Sequence, residues 1–438
     1  MSAAGASTPL VLDIDGWTHD GRGVGRVAGK AVFVGGALPG EQVRARIVRR
    51  HARFDEAETI ELLRIASERT APRCPHFGRC GGCALQHLEP DAQLAAHAER
   101  LAETLRRIGG LHPAHWRDPV ASPAFGYRSR ARLAVAPARR GEAARLGFRR
   151  DASHAVEPLD ECPILVPELA RLIAPFGTLV GGLRAARELR EILLAAGEPG
   201  VALAAAWSPA AAAADREALQ DWGQREGVAI RHGVAGTGAT LWPDGAPALA
   251  YAAGADGPAI AFQPWHFTQA NRAVNRALIG AVLEELAPAP GERVLDLFCG
   301  LGNFSLPLAA RGARVTGLEG DPAMVELAGH NARRNGLDGC EFRCADLARD
   351  PRGAAWTREE HELVLLDPPR RGATELIPQL ARTRARRIVY VSCDAATLAR
   401  DAATLCAPGR WRIARAGVFD MFPQTTHFES LVVFERAV

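Results

Sequence analysis

From about residue 277 onward, short apolar strands alternate with helix-like segments, and this alternation constrains the fold more than any other feature of the chain. The strand candidates are RVLDLF (293–298), RVTGLE (314–319), LVLLD (363–367), RIVYVS (387–392) and FESLVVFE (428–435). Strands that alternate with helices predict a parallel sheet covered by helices on both faces. The fold class expected of the C-terminal region is therefore α/β and Rossmann-like.

The chain is expected to contain several domains, because 438 residues exceed the usual size of one. Residues 8–66 alternate between apolar and polar positions with Gly-rich turns, which predicts a small β-barrel. Residues 67–266 predict a mixed α+β central domain with a helix over 91–108, which could also pack with the C-terminal domain. Residues 267–438 form the predicted α/β domain.

No feature of the sequence points to a membrane or to secretion. It contains no run of about 18 apolar residues, and residues 1–16 lack a basic segment followed by an apolar one. A cytoplasmic location is therefore expected, where thiols stay reduced. A cysteine cluster in such a protein indicates metal binding or catalysis.

The arginines are unevenly distributed, although the net charge is only +3. Residues 127–150 carry eight Arg against one acid, Glu142, and a second basic run covers 44–53. Such runs favour binding to a phosphate backbone. The alternative is a compositional bias, because Lys30 is the single lysine and nearly every basic residue is arginine.

A Gly-rich turn follows the first of the C-terminal strands and leads into a helix. Gly300 and Gly302 allow a ligand to approach the backbone closely, and ligands of such sheets bind at the carboxyl ends of the strands. Ser305 occupies the place of the third glycine of dinucleotide sites, which favours a cofactor without a pyrophosphate, such as S-adenosylmethionine. Glu319 ends the next strand, where a carboxylate can accept hydrogen bonds from both ribose hydroxyls.

Two further side chains follow strands that end on the same side of the sheet, and a third lies just before the last strand. Cys393 lies where a strand meets a helix, and a helix N-terminus stabilises a thiolate; the alternative is a small buried cysteine. Asp367 begins the motif Asp-Pro-Pro-Arg-Arg-Gly, whose prolines prevent a helix there. Glu429 precedes an apolar strand, where desolvation would raise its basicity; the alternative is a surface acid on an edge strand.

The order of these motifs resembles that of the RNA uracil-5-methyltransferase family. The motifs that carry the resemblance are FTQANRAVN (267–275), DLFCGLGNF (296–304), GLEGDPAMVELAGHNARRNG (317–336), DPPRRG (367–372), SCDAATLARD (392–401) and MFPQTTHFES (421–430). The N-terminal β-unit looks like a TRAM domain, a small RNA-binding (OB-like) β-barrel. A TRAM unit with a cysteine cluster is similar to the branch that methylates 23S ribosomal RNA; the same chemistry on tRNA or on another rRNA uridine is the alternative.

The resemblance implies roles for individual residues. Cys393 matches the nucleophile that adds to uracil C6, and Glu429 matches the base that removes the C5 proton. The positions that match the site for S-adenosylmethionine are Gln269, Phe298, Asn303, Glu319, Asp346 and Asp367. Asp367 could instead face the uracil, which must be single-stranded or flipped out. The sequence departs from the family at Asp394-Ala395, where Asn-Pro is usual.

The segment CPHFGRCGGC supplies three cysteines, Cys74, Cys80 and Cys83, which need a fourth ligand. The other cysteines belong to the α/β domain, except Cys162, which lies in a loop-like setting. Four thiolates at this uneven spacing suit a [4Fe–4S] cluster, as the resemblance also implies. Zinc is the alternative, with His76 or His87 as a ligand.

Two other functional classes are weighed against an RNA uracil methyltransferase that acts as a monomer on 23S rRNA. An amino-methyltransferase is one, because Asp-Pro-Pro occurs in such enzymes, but they usually have an aromatic residue where Arg370 stands. An RNA chaperone with a vestigial transferase fold is the other. The presence of Cys393, Glu429 and Glu319 speaks against the chaperone.

Overall fold

The computed structural model describes residues 8–136, 143–151, 153–198, 200–207, 212–234, 239–242, 248–254, 256–349, 351–407 and 409–437. The contacts divide the chain into two compact units. The first unit contains the residues up to Gln93 with Phe148–Glu157 and Gln424–Thr426, and the second contains Leu94–Gly147, Pro158–Pro423 and the residues from His427 onward. The three domains read from the sequence remain a prediction.

A closed five-stranded barrel forms most of the first unit, in the order β1-β2-β3-β5-β4. Its strands are β1 Leu10–Trp17, β2 Gly23–Val27, β3 Lys30–Gly35, β4 Gln42–Arg50 and β5 Phe54–Arg64. Alternate side chains point inward, and they form a core that includes Leu12, Ile14, Val32, Val34 and Val43. The predicted N-terminal β-barrel is confirmed.

The basic run at 44–53 is largely paired with acids of the neighbouring strand. Arg44 Nε lies 2.9 Å from Glu61 Oε2, and Arg46 Nη2 lies 3.5 Å from Glu58 Oε2. These pairs result from the antiparallel register of β4 and β5. The run therefore presents alternating charges on the barrel, which weakens its interpretation as a phosphate-binding patch.

A seven-stranded sheet and a hairpin occupy the middle of the chain. The sheet has the order β13-β12-β11-β10-β7-β8-β9, and β14 pairs with β15. The bounds of the elements in this region are α1 Pro90–Thr104, a π-helical turn Leu105–Gly109, β6 His115–Trp116, β7 Arg130–Ala136, β8 Arg145–Arg149, β9 Val156–Pro158, α2 Pro167–Ala170, α3 Ile173–Gly182, β10 Leu189–Gly197, β11 Gly200–Trp207, α4 Ala213–Glu226, β12 Val228–Val234, β13 Ala239–Trp242, β14 Leu249–Ala252 and β15 Ala259–Phe262.

An eight-stranded sheet dominates the second unit, in the order β18-β17-β16-β19-β20-β22-β21-β6. The bounds of its elements are α5 Arg272–Leu286, β16 Arg293–Leu297, α6 Ser305–Ala310, β17 Arg314–Glu319, α7 Pro322–Arg334, β18 Cys340–Cys344, β19 Leu363–Leu366, α8 Ile377–Leu380, β20 Arg387–Ser392, α9 Ala395–Cys406, β21 Trp411–Phe419 and β22 Glu429–Arg436. The first five strands are parallel, whereas β22 is antiparallel to both its neighbours.

Both faces of this sheet are covered, because neighbouring residues of one strand belong to different cores. Val294 belongs to the core that includes residues of α5 and α6. Leu295 belongs to the core that includes residues of α8 and α9, Leu101 of α1 and Leu105 of the π-helical turn. The predicted α/β fold is confirmed. Among the described residues, no helix is both long and apolar enough to cross a membrane.

The strand order fixes where a ligand can bind. The chain runs outward from β16 through β17 to β18, then returns to place β19 on the other side of β16. Open α/β sheets bind ligands at such a reversal, outside the carboxyl ends of the strands. The residues that follow β16, β17, β19 and β20 therefore meet at one edge, and these include most of the predicted site.

Candidate active site

The turn after β16 is held in a strained conformation. Phe298 N and Cys299 N both donate to Leu318 O, at 2.9 and 3.1 Å. Phe298 has φ 65°, in the left-handed region that side chains with a Cβ rarely adopt, and such strain is concentrated at functional sites. Gly302, at φ 89°, cannot be replaced without movement, because a Cβ there would lie 2.0 Å from Leu306 Cδ1.

Glu319 lies against this turn at the end of β17. Its Oε2 accepts a hydrogen bond from Gly300 N at 3.1 Å. Its Oε1 accepts from Gly320 N at 2.7 Å and from Asp321 N at 3.1 Å. The carboxylate is half-buried and stands beside the glycine turn, as the sequence predicted for an acid that binds a ribose; that role is still a prediction.

Asn303 is part of a side-chain network. Its Oδ1 accepts from Tyr251 Oη and from Asn275 Nδ2, both at 2.9 Å. Its Nδ2 donates to Asn275 Oδ1 at 3.1 Å. The sequence placed Asn303 at the cofactor, but Tyr251 and Asn275 gave no signal of their own, because their contact with it depends on the fold.

The two remaining amide and acid candidates differ in their surroundings. Gln269 is 9% exposed, and its Oε1 has no hydrogen-bond partner among the described residues. An unpaired buried acceptor is costly, so this atom is well placed to bind a ligand. Asp346 is exposed after β18, where it accepts from Ala348 N at 3.0 Å and pairs with Arg349 at 2.8 Å.

A buried acid that the sequence did not single out lies beneath the turn. Asp296 is fully buried on β16 and accepts a hydrogen bond from Ser305 Oγ. Burial raises the pKa of Asp296 to about 7. Burial, with a contribution from Asp296, also raises the pKa of Asp367 to about 7. Ser305, which replaces the third glycine of a dinucleotide motif, therefore donates a hydrogen bond to the buried Asp296 carboxyl.

Cys393 and Glu429 come next to each other on neighbouring strands. Ser392 of β20 pairs with Ser430 of antiparallel β22, and Ser430 Oγ donates to Ser392 O at 2.9 Å. One step further along each strand are Cys393 and Glu429. The register therefore brings the predicted nucleophile and the predicted base together, although 36 positions separate them in the sequence.

Glu429 is a buried carboxyl on an interior strand. It is 3% exposed, and its Oε2 has no hydrogen-bond partner among the described residues. Burial and then the charge of Asp367 raise its pKa well above the ordinary value, and Arg370 opposes this shift. The expected gain in basicity is confirmed, and the alternative of a surface acid on an edge strand is wrong, because β22 lies between β20 and β21.

The Cys393 thiol is held in its protonated form. Burial, followed by the charges of Glu429 and Asp367, raises its pKa to about 12, and Arg370 acts in the opposite direction. The sequence predicted a thiolate stabilised by the helix N-terminus, and this was wrong for the free site. Asp394 caps that helix.

The Asp394 cap accepts hydrogen bonds from backbone N–H groups at the start of α9, which are then not available to a Cys393 thiolate. Asp394 Oδ1 accepts from Ala396 N at 3.0 Å and from Thr397 N at 2.9 Å. An aspartate at this position is a favourable cap. It also places a second negative charge at the helix end, so the first turn of α9 offers Cys393 little stabilisation.

The Arg-rich stretch is described only in part, because residues 137–142 lie outside the described residues. Arg130 is half-buried, donates to Thr268 O at 3.2 Å and lies 5.7 Å from the centre of the Phe267 ring. It therefore borders the segment that carries Gln269.

The cysteine segment is fastened by hydrogen bonds within the first unit. Cys74 N donates to Gln86 Oε1 at 3.0 Å, and Arg79 Nε donates to Glu157 Oε1 at 2.8 Å. The three thiols are half-buried, and Cys162 is buried in the second unit. Within the described ranges, no group of three or more His, Cys, Asp or Glu side chains is placed to hold a metal ion. The iron–sulfur prediction is therefore not confirmed.

Comparisons with known proteins agree with the geometry of the second unit. Residues 261–437 match the tRNA (Uracil-5-)-methyltransferase family. A protein of Alcanivorax borkumensis named 23S rRNA (uracil(1939)-C(5))-methyltransferase RlmD is 41% identical over 98% of this chain and 97% of its own. Proteins with the same name from Thiobacillus denitrificans and Nitrosococcus oceani are 42% and 43% identical over 97% and 98% of this chain and 99% and 96% of theirs.

One solved structure has a similar fold. The crystal structure of Pyrococcus abyssi tRNA (uracil-54, C5)-methyltransferase in complex with S-adenosyl-L-homocysteine aligns with a TM-score of 0.74 and 24% identity, over 97% of this chain and all of that one. This likeness concerns the fold. Together with the near full-length relatives, it leads to one assignment: the chain belongs to the RNA uracil-5-methyltransferase family.

Proposed function

We propose that this chain transfers a methyl group from S-adenosylmethionine to C5 of a uridine in 23S ribosomal RNA, which gives 5-methyluridine. The observation that carries the proposal is the adjacent placement of Cys393, just after β20, and Glu429, at the start of β22. They lie on the side of the sheet where its parallel strands end. The substrate is supported by relatives of similar length named as 23S rRNA (uracil(1939)-C(5))-methyltransferases.

The reaction needs a nucleophile because uracil C5 reacts poorly with electrophiles. The Cys393 thiol first loses its proton to solvent and then adds as a thiolate to C6, so that an S–C6 bond forms and the electron pair of the C5–C6 double bond moves into an enolate. The methyl group that C5 takes would come from bound S-adenosylmethionine, whose S–CH3 bond would break to leave S-adenosylhomocysteine. Glu429 then accepts the C5 proton, the double bond re-forms, and the S–C6 bond breaks to restore the thiolate.

The charges of the site suit this sequence of steps. Its raised pKa makes the Glu429 carboxylate a stronger base than an exposed glutamate. The thiol stays protonated in the free site, which protects it from oxidation and alkylation. Arg370 favours the ionised forms of both Cys393 and Glu429, and it therefore favours the reactive state of each.

We assign the binding of S-adenosylmethionine to the residues around the glycine turn. The set contains Gln269, Phe298, Asn303, Glu319, Asp346 and Asp367. The unpaired Gln269 Oε1 and the position of Glu319 beside Gly300 support this assignment. Asp367 interacts electrostatically with both sides of the site, because, after burial, the charge of Asp296 raises its pKa and its own charge raises the pKa of Glu429. It could therefore contact the uracil instead of the methyl donor.

The RNA would present its uridine single-stranded or flipped out, because C6 must come within bonding distance of the thiol. The arginines of 127–150 are proposed to bind its backbone. We expect a cytoplasmic protein that works as a monomer.

We also propose that Cys74, Cys80, Cys83 and Cys162 hold a [4Fe–4S] cluster, on the strength of their number and spacing. No step of the methyl transfer requires it, because no net electrons move. Both ring nitrogens of His76 and of His87 are buried without hydrogen-bond partners in the described part of the chain, which keeps zinc as the competing metal. Brown protein with visible absorption after anaerobic purification supports the cluster, and colourless protein with stoichiometric zinc rejects it.

Mapping of 5-methyluridine tests the substrate. RNA from a strain without this gene should lack 5-methyluridine in 23S rRNA and keep it in tRNA, and the purified protein should restore it, whereas Cys393→Ala should not. Loss from tRNA with 23S rRNA unchanged would contradict the proposed substrate and favour the tRNA alternative. Full turnover of Cys393→Ala would point to an amino-methyltransferase.

A further inference from the structure

A buried carboxylate outside the predicted site connects three of its segments. Asp401 is 1% exposed on α9, eight residues after Cys393. Its Oδ2 accepts from Tyr390 Oη at 2.9 Å and from Ala373 N at 2.7 Å. Its Oδ1 accepts from Thr374 Oγ1 at 3.2 Å. One side chain therefore joins α9, β20 and the segment after β19.

The segment that Asp401 holds is shaped around it. Gly372 has φ 78°, and a Cβ there would lie 2.5 Å from Asp401 Oδ2, so only glycine allows this close approach. Arg400 adds to the attachment, because its Nη2 donates to Arg371 O at 2.8 Å and its Nε to Asp401 Oδ1 at 2.9 Å. The carboxylate is thus both paired and hydrogen-bonded, as a buried charge must be.

The contacts of Asp401 reach segments close to the reacting groups on two sides. The fastened residues 371–374 follow directly after Arg370, whose charge lowers the pKa of Cys393. On the other side, Tyr390 precedes Cys393 by three residues on β20. Movement of Asp401 would therefore change the distance between Arg370 and the thiol.

We propose that Asp401 is a positioning residue for methyl transfer, which fastens residues 371–374 to α9 and β20 so that Arg370 keeps its place beside Cys393. This inference rests on the proposed function, because it concerns the same thiol. It assigns Asp401 no contact with the uridine or with the methyl donor.

A positioning role differs from a purely structural one in its effect on the thiol. The charged groups that face Cys393 are Glu429 on β22, Asp367 after β19, and Arg370, of which the first two raise its pKa and the last lowers it. If residues 371–374 come loose, the guanidinium of Arg370, which directly precedes them, moves with them, whereas Asp367 stays attached to β16 because its N–H donates to Leu297 O at 3.2 Å. The pKa of Cys393 should then rise. A loss of packing alone would leave it unchanged.

Glu285 offers a matched control at the other end of the sheet. It is 2% exposed on α5 and, like Asp401, is a buried acid bound to arginine, since Arg415 Nε donates to its Oε2 at 2.9 Å and Arg117 also pairs with it. It lies next to Leu286, where α5 ends before the amino end of β16. Glu285→Gln should therefore destabilise the fold without reaching the thiol.

The test is the rate of Cys393 alkylation against pH, with methyl transfer measured on the same proteins. Asp401→Asn should move the alkylation profile to higher pH by roughly half a unit, or about threefold in rate at one pH, and should lower kcat about 10- to 100-fold with KM little changed. Tyr390→Phe should change the alkylation profile and kcat in the same directions but by smaller amounts. Glu285→Gln should change neither the alkylation profile nor kcat.

Two outcomes would overturn the proposal. One is an alkylation profile of Asp401→Asn that coincides with that of Glu285→Gln; the other is an equal loss of kcat in both variants. If Asp401→Asn does not fold, Tyr390→Phe decides by the same comparison. If the wild-type protein methylates no RNA, the proposed function fails, but the alkylation profiles still report whether Asp401 positions the residues around the thiol.

Discussion

Replacement of Glu429 by glutamine should have opposite effects on turnover and on thiol reactivity. The amide keeps the size of the side chain but cannot accept the C5 proton. Loss of a general base typically costs 10²- to 10⁴-fold in rate, so kcat should fall by about that factor. Addition of Cys393 and methylation of C5 precede the lost step, and the RNA should therefore remain covalently attached to the protein.

The same substitution removes a charge that repels the thiolate. After burial, Glu429 is the largest cause of the raised pKa of Cys393, so the pKa of this thiol should fall in Glu429→Gln. The change should be visible at alkaline pH, where the wild-type carboxyl is ionised, as faster alkylation of Cys393. It should be small at pH values where the carboxyl is protonated in the wild-type protein.

The assay combines denaturing gels, which retain a protein–RNA adduct, with alkylation of the protein alone. Cys393→Ala serves as the control that forms no adduct, and Glu285→Gln as the control for loss of a buried acid elsewhere. Turnover of Glu429→Gln within threefold of wild type would refute the assignment of the base. A slower alkylation at alkaline pH would refute the electrostatic argument even if turnover fell.

Three further changes test other parts of the structure. Burial raises the pKa of Asp296 to about 7 in the folded state, so its contribution to stability is lost as the pH rises from about 4 to about 7, by up to about 4 kcal/mol. In urea unfolding, the stability of Asp296→Asn relative to wild type should therefore be higher at pH 8 than at pH 5. An equal difference at both pH values would contradict this. Tyr251→Phe removes the donor to Asn303 Oδ1 and should cost about 1 to 2 kcal/mol in unfolding free energy and weaken S-adenosylmethionine binding in calorimetry; unchanged values would count against the network. Cys83→Ser should abolish the visible absorption and lower the iron content of anaerobically purified protein, and full retention of iron would remove Cys83 from the ligand set.

The sequence predicted the α/β domain well because its signals are local. The strands at 314–319 and 387–392 have the predicted bounds. The predicted glycine turn lies between β16 and α6. The central sheet could not be ordered, because its parallel pair, β11 and β12, is flanked by antiparallel neighbours. Short apolar strands of this kind carry no sign of their partners.

The chemistry of the site was less predictable than its residues. The helix N-terminus after Cys393 suggested an acidic thiol, but the local effect of the helix is outweighed by burial and by two carboxyls from other strands. Asp296 and Tyr251 were missed for the same reason, since their importance comes from contacts across the fold. The basic run at 44–53 was overestimated, because the opposing acids of β5 pair with it only in the barrel.

The position of β22 has a consequence for how the enzyme is made. It is synthesised after β21, yet it lies between β20 and β21, so β21 and β6 can join the sheet only once β22 is available. Pairings of this kind are slow to form and come late during folding. Because Glu429 opens β22, a nascent chain that has not reached this strand carries the nucleophile without the base. Completion of the sheet and acquisition of the ability to release methylated RNA should therefore occur in one step.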